Sequence, residues 1–283
     1  MSQSDDMTWA AAAAAVFEIG LILAGAWMIW RHALSPKARQ ARDPRLAGWG
    51  LPAIDFACFL CFAFVGATAM SAAAGFLLRH SRLGPDAIMV AGSAVMHVGI
   101  LLGLAGFFLM YGLRAQIAGR GPFVAPALRS GFVTFLVALP LVDGTSFAWE
   151  YLLTKAGLPV ERQDMVDILQ NSDSTALKLS LVLVAVLLVP ITEEVLFRGG
   201  LFRYFRTRIP RSAAIVLTSA LFGALHVSWG DHLGGLASFA PLAVLAVVFC
   251  LAYERTGSIG TTIVAHALFN LNTLVLLVSG IAT

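Results

Sequence analysis

Long hydrocarbon runs constrain this chain more than any motif in it. Backbone N–H and C=O groups inside a bilayer have no water to bond, so a spanning segment must close its own hydrogen bonds as a helix. About 20 apolar residues are needed to cross a core roughly 30 Å thick. Eight stretches of the 283-residue chain qualify, at 7–30, 51–78, 87–112, 128–152, 175–202, 212–229, 235–253 and 259–280, the seventh being the shortest. The expected fold is all-α, a polytopic integral membrane protein of about eight transmembrane helices. Composition agrees, with 59% hydrophobic residues, 12% charged residues and a mean hydropathy of +0.83, where a soluble domain carries about 25% charged residues. A soluble enzyme, a disordered chain and a nucleic-acid binder are excluded, so membrane lipid is the expected surrounding and no nucleic acid is an expected partner. Cys58, Cys61 and Cys250 lie in apolar runs and read as small buried hydrophobes, not as a disulfide framework.

Lys and Arg are unevenly distributed between the loops. Segments 31–45, 114–129 and 198–211, together with Arg255, hold fourteen of the nineteen basic residues. Because cytoplasmic loops carry the excess of positive charge, this pattern directs both termini away from the cytoplasm. The first span has no basic region ahead of it and no small-residue cleavage site, so a retained helix is expected and not a signal peptide. Residues 1–176 form an N-terminal unit of four spans and a connector, and 177–283 form a second unit of four spans. Within the connector, Glu161, Asp164, Asp167 and Asp173 alternate with Val160, Met165, Ile168 and Leu169. The spacing suits a short interfacial amphipathic helix, and a solvated connector is the plainer expectation.

In such a chain the informative residues are ionisable groups inside spans, each costing about 2.5–3.5 kcal/mol at mid-membrane on insertion scales. Leu181 to Ile191 is almost unbroken hydrocarbon, and Thr192, Glu193 and Glu194 follow it directly. On a helix Glu194 and Arg198 stand at i and i+4 and can pair, whereas Glu193 points about 100° away. Glu194 with Arg198 reads as a structural ion pair and Glu193 as the free carboxylate. The next span carries Phe222 and His226, and the last carries His266 and Asn270, four apart on one helical face. A turn near Pro210 lies about sixteen residues from both the glutamate pair and His226, so an antiparallel hairpin sets these groups level, roughly 24 Å from the turn. His266 reaches a similar depth from Arg255. One carboxylate, two imidazoles and an amide make a hydrolytic site in which the carboxylate accepts a proton from water and N–H groups hold an oxyanion. Glu193, His226 and His266 equally make a three-ligand set for a divalent metal such as zinc. The residues alone leave both chemistries open.

The stretch Thr192-Glu193-Glu194-Val195-Leu196-Phe197-Arg198-Gly199 resembles the E-E-x-x-x-R-G motif of the CAAX protease and bacteriocin-processing (CPBP) family of intramembrane proteases. Phe222-Gly223-Ala224-Leu225-His226 resembles its F-x-x-x-H motif, and His266-Ala267-Leu268-Phe269-Asn270 its closing H-x-x-x-N. The resemblance spans about residues 177–281 and extends to type II CAAX prenyl endopeptidases. It implies a helical core around a cavity open to the cytosol and hydrolysis of a peptide bond in a membrane-associated or prenylated substrate. Glu193 and His226 would activate the water, His266 and Asn270 would form the oxyanion hole, and Glu194, Arg198 and Phe222 would support the site. A bacterial cytoplasmic membrane is the expected location. Rival readings are a non-catalytic scaffold or immunity protein and a small proton-coupled transporter; the complete motif set argues against both.

Other polar residues read as structural. Asp55 with Cys58 and Cys61 lacks a facing ligand, His97 and Asp143 suit either the lining of the cavity or hydrogen bonds between helices, with a structural role the plainer expectation, and His232 beside Asp231 suits a surface loop. Trp9, Trp27, Trp30 and Trp149 near span ends suit an interfacial belt.

Overall fold

A computed structural model describes residues 16–17, 19–20, 22–40, 46, 48–111, 125–160, 168–169, 172–227 and 234–278. Every regular element among the described residues is helical. The main helices are α1 (Ala53–Leu78), α2 (Pro85–Tyr111), α3 (Ala125–Lys155), α4 (Thr175–Arg206), α5 (Arg211–Leu225), α6 (Phe239–Thr256) and α7 (Ile259–Val278). Six of them, all but α5, are long and apolar enough to cross a membrane. They coincide with the expected spans at 51–78, 87–112, 128–152, 175–202, 235–253 and 259–280. The expected span at 7–30 begins outside the described residues; its end, 22–29, is helical and runs into a π-helical turn at Trp30–Leu34.

The span expected at 212–229 is shorter than the pattern implied. Helix α5 has 15 residues and stops at Leu225, about 22 Å of helix. His226 ends it: its backbone N–H turns to the Gly223 carbonyl at 3.1 Å, while its ring Nδ1 donates to the Phe222 carbonyl at 2.7 Å. A side chain thus takes the carbonyl that the next helical N–H would have used, so hydrophobicity continues past the point where the helix closes.

Helix boundaries follow local chemistry. Pro85 opens α2 with Asp86 in its first turn, where a missing N–H is harmless and a negative charge meets the helix dipole. Ser174 caps α4, its hydroxyl accepting the Leu177 N–H at 3.3 Å. Gly257, at φ 65°, closes α6 in a left-handed turn and allows α7 to begin two residues later. At that end of the bundle Glu254 accepts from Arg206 Nε at 2.8 Å and Arg211 Nε at 2.6 Å, tying the α4–α5 turn to the end of α6.

Packing holds the bundle in three larger zones, beside a smaller one of Phe197, Phe222 and Ala246. One joins α1, α2, α4, α5, α6 and α7 through Phe59, Phe107, Phe202 and Tyr253; one joins α3 to α6 and α7 through Leu141, Phe249 and Ala265; one seats α4 on α2 through Val90, Leu181 and Val184. Ile168 and Leu169 from the connector are buried in this third zone, while Glu161, Asp164, Met165 and Asp167 lie outside the described residues. Elsewhere the helices turn hydrocarbon outward, with Leu77 at 73% and Leu109 at 86% exposure, as a lipid-facing surface requires. The cysteines carry free thiols, but only Cys250 is buried; Cys58 is half-buried and Cys61 exposed. Cys61 faces outward because it sits two residues, about 200° of helix, beyond the buried Phe59. Trp27 and Trp30 are exposed, Trp149 donates to the Leu236 carbonyl at 2.7 Å, and Trp9 lies outside the described residues.

Lipid chains are as apolar as leucine, so helices in a bilayer associate through close packing at small residues. Gly66 of α1 and Gly99 and Gly103 of α2 bring two backbones together: a Cβ on Gly103 would meet the Phe62 carbonyl, and one on Gly66 the Gly99 carbonyl. Gly103→Val should lower stability by about 1–3 kcal/mol, seen as an earlier thermal unfolding transition in detergent. Gly75→Ala, where nothing lies within 4 Å, should leave the transition unchanged.

Candidate active site

The middle of α4 departs from regular helix. π-Helical turns at Val184–Leu188 and Val195–Phe202 bracket the α-helical turn Val189–Glu194. The first precedes Pro190, whose ring and missing N–H bar an ordinary bond to the carbonyl four residues back. In the second, Gly200 leaves room for Phe59 of α1, which a Cβ would strike. Such π-turns concentrate at functional sites because they re-aim side chains and loosen the backbone ladder. Between them lie Thr192, Glu193 and Glu194.

Glu194 and Arg198 both have fully buried side chains, and Arg198 Nη1 donates to Glu194 Oε1 at 2.9 Å. His266 Nδ1 reaches the same oxygen at 2.9 Å. A carboxylate held by arginine accepts only, so this ring nitrogen carries the proton. The guanidinium lies over the rings of Phe222, at 4.6 Å from the centroid, and Phe249, at 5.2 Å, an aromatic seat that replaces part of its lost hydration. The bond from Glu194 to His266 is one that residue spacing did not suggest.

Glu193 faces two imidazoles. His226 Nε2 lies 3.5 Å from Glu193 Oε1 and His266 Nε2 lies 3.9 Å from Glu193 Oε2. Each ring has committed its Nδ1 elsewhere, His226 to the Phe222 carbonyl and His266 to Glu194, so both turn Nε2 toward the same carboxylate. Glu193 Oε2 is buried and has no hydrogen-bond partner among the described residues. Glu193 and His226 retain 17% and 26% exposure, against 5% for His266; of the three, His266 is the most enclosed. Phe222 thus serves twice, its carbonyl orienting His226 and its ring packing on Arg198.

Asn270 stands one turn beyond His266 and donates one amide N–H to the Ala185 carbonyl at 2.7 Å, inside the first π-turn of α4. An amide has two N–H groups, so this bond fixes its orientation and leaves the second for another acceptor. Among the described residues no group of three or more His, Cys, Asp or Glu is arranged to hold a metal.

Several residues set aside in the sequence lie elsewhere. Asp143 is exposed on α3, Asp55 sits in the first turn of α1, and Asp231 and His232 lie outside the described residues. His97 is the exception: buried on α2, its Nδ1 lies 2.6 Å from Thr192 Oγ1, beside Glu193.

The family model of type II CAAX prenyl endopeptidase Rce1-like proteins matches residues 175–272, from the first residue of α4 into α7. Over these residues the chain is similar to that family of CAAX-type intramembrane proteases, and with six helices long and apolar enough to cross a bilayer the protein is integral to a membrane. No curated protein and no solved structure matches the chain.

Arg198→Ala should strand Glu194 in the interior and cost about 3–5 kcal/mol. The measurement is unfolding in detergent by heat or denaturant, and an unchanged transition would remove the pair as a structural support.

Proposed function

We propose that the protein is an intramembrane endopeptidase that cleaves a membrane-associated or prenylated protein or peptide with water activated by Glu193 and His226. The observation that carries this reading is the approach of His226 Nε2 to Glu193 Oε1 at 3.5 Å with Nδ1 already committed to the Phe222 carbonyl. A water lying beside this pair can contact both the proton-accepting carboxylate and an imidazole of known orientation. Glu193 takes its proton as the water oxygen bonds to the scissile carbonyl carbon. The same proton then passes to the leaving amine as the C–N bond breaks, which returns Glu193 to its starting state.

The oxyanion that forms meanwhile is held by His266 and Asn270. Since Nδ1–H of His266 already donates to Glu194, donation through Nε2 requires the ring to carry both protons. The neighbouring carboxylates Glu193 and Glu194 offset that charge. Asn270, anchored on Ala185 by one N–H, offers the other. Glu194 and Arg198 support these groups without touching the substrate. No step uses a metal, and zinc enters only as an alternative that the assay below tests. In the same reading the arginine-rich α4–α5 turn faces the cytoplasm of a bacterial membrane and both termini face away from it.

The test is hydrolysis of quenched-fluorescent peptides, prenylated and unprenylated, by detergent-purified protein with and without a strong chelator. Glu193→Gln and His226→Ala should each lower the rate by at least about 100-fold, the scale of lost general acid–base catalysis, while unfolding as wild type does. Activity kept by Glu193→Gln would overturn the mechanism and favour a scaffold. Loss of wild-type activity in chelator would reassign Glu193 and the histidines to a metal.

A further inference from the structure

Every residue of the proposed site lies within 175–272, yet the most direct polar contact with its glutamate turn from outside comes from α2. His97 is buried, at 7% exposure, and its Nδ1 lies 2.6 Å from the hydroxyl of Thr192. That hydroxyl also reaches the Leu188 carbonyl at 2.8 Å and the Val189 carbonyl at 3.0 Å; with its one proton given to a carbonyl it accepts from His97, and the ring proton then sits on Nδ1. Thr192 itself is completely buried. It precedes Glu193 in the single α-helical turn between two π-turns, and Leu188, one of the two carbonyls it reaches, ends the first of them. The turn is only six residues long with a π-turn on each side, and the bond from His97 ties it to a second helix.

A buried histidine in a lipid-embedded helix is costly, and two hydrophobic residues would join α2 to α4 without that cost. Joining them is already done by Val90, Leu181 and Val184. What the His97–Thr192 bond adds is direction, since a hydrogen bond of 2.6 Å depends on the angle between its partners and dispersion contacts do not. We propose that His97 is a positioning residue for peptide hydrolysis: from a helix outside the family segment it fixes Thr192, and through Thr192 the angle at which Glu193 meets His226 and His266. The N-terminal helices thereby become part of the catalytic apparatus. This rests on Glu193 acting as the proton acceptor.

The experiment compares kcat and KM on a peptide that wild type cleaves and Glu193→Gln does not, so failure of the underlying reading shows first, as the lack of any such peptide. His97→Ala should lower kcat at least about tenfold, on the scale expected when a reacting group is misplaced by a fraction of an ångström, with KM within about twofold. His97→Asn, whose amide can donate near the place of Nδ1, should restore most of the loss. Thr192→Val should match His97→Ala and Thr192→Ser should match wild type, and His97→Ala with Thr192→Val should lose no more than either alone. Wild-type kcat in His97→Ala, or multiplied losses in the double variant, would overturn the proposal. Reactivity of Glu193 toward a hydrophobic carbodiimide, read by mass spectrometry, gives an answer independent of turnover. The labelling rate should change in His97→Ala and return in His97→Asn, and equal rates in all three proteins would overturn it as well.

Discussion

Arg198 carries a guanidinium to a place that water does not reach, and the surrounding structure is organised by what that charge needs. Its carboxylate partner is Glu194, one turn away on the same helix and equally buried. Neither group is tolerable there alone, since an unpaired charge in a low-dielectric interior costs far more than the pair. The aromatic faces of Phe222 and Phe249 surround the guanidinium from α5 and α6, and His266 of α7 takes the remaining access to Glu194 Oε1. Four helices are thus referred to one ion pair. Because His266 spends Nδ1 on it, Nε2 can point only toward Glu193, and the electrostatic support of the fold becomes the orienting element of the site.

Irregular helix geometry is the second requirement. Two adjacent glutamates on a regular helix diverge by about 100°, yet here both meet one imidazole ring, with Glu194 at 2.9 Å from Nδ1 and Glu193 at 3.9 Å from Nε2. An imidazole has its nitrogens on opposite sides, so a ring lying across the helix can span that divergence. The flanking π-turns give α4 the local freedom to present both carboxylates, and Asn270 holds one of those turns through the Ala185 carbonyl. The early end of α5 belongs to the same design, because His226 leaves the helix in order to turn its ring. Had α5 continued as a span, its backbone N–H would have taken the Phe222 carbonyl that now orients the imidazole.

A third constraint comes from lipid. With leucines and phenylalanines facing outward, the hydrophobic effect contributes little to holding one helix against the next, and close backbone contact and polar links do that work. Gly66, Gly99 and Gly103 press α1 against α2; Ser130 and Thr261 share a hydrogen bond of 2.8 Å between α3 and α7; Arg206 and Arg211 share Glu254. The N-terminal helices reach α4 through this same economy of contacts, apolar at Val90 and polar at His97.

Much of this was legible in the linear chain, and the reason is physical. Bilayer thickness sets helix length, so six spans could be located from hydrophobic runs alone, and the i, i+4 relation of Glu194 to Arg198 is a property of any helix. The level of Glu193 with His226 followed from counting residues on either side of Pro210. What counting could not supply was anything that depends on a side chain leaving the regular pattern. Helix α5 was expected to run past Val227 because its residues stay apolar, and hydropathy does not register a histidine ring capping its own helix. Cys61 was expected inside because an apolar span has no visible inside until its neighbours are known. His97 could be read as a cavity-lining or interhelical hydrogen-bonding residue, but not with its partner named, because nothing along the chain relates position 97 to position 192. The sequence by itself thus determined the membrane, the helices and the identity of the charged groups, all of which follow from local chemistry and length. Only the tertiary structure decided which nitrogen of each histidine faces Glu193 and which helix outside the family segment reaches its turn, because those depend on contacts between residues far apart in the chain.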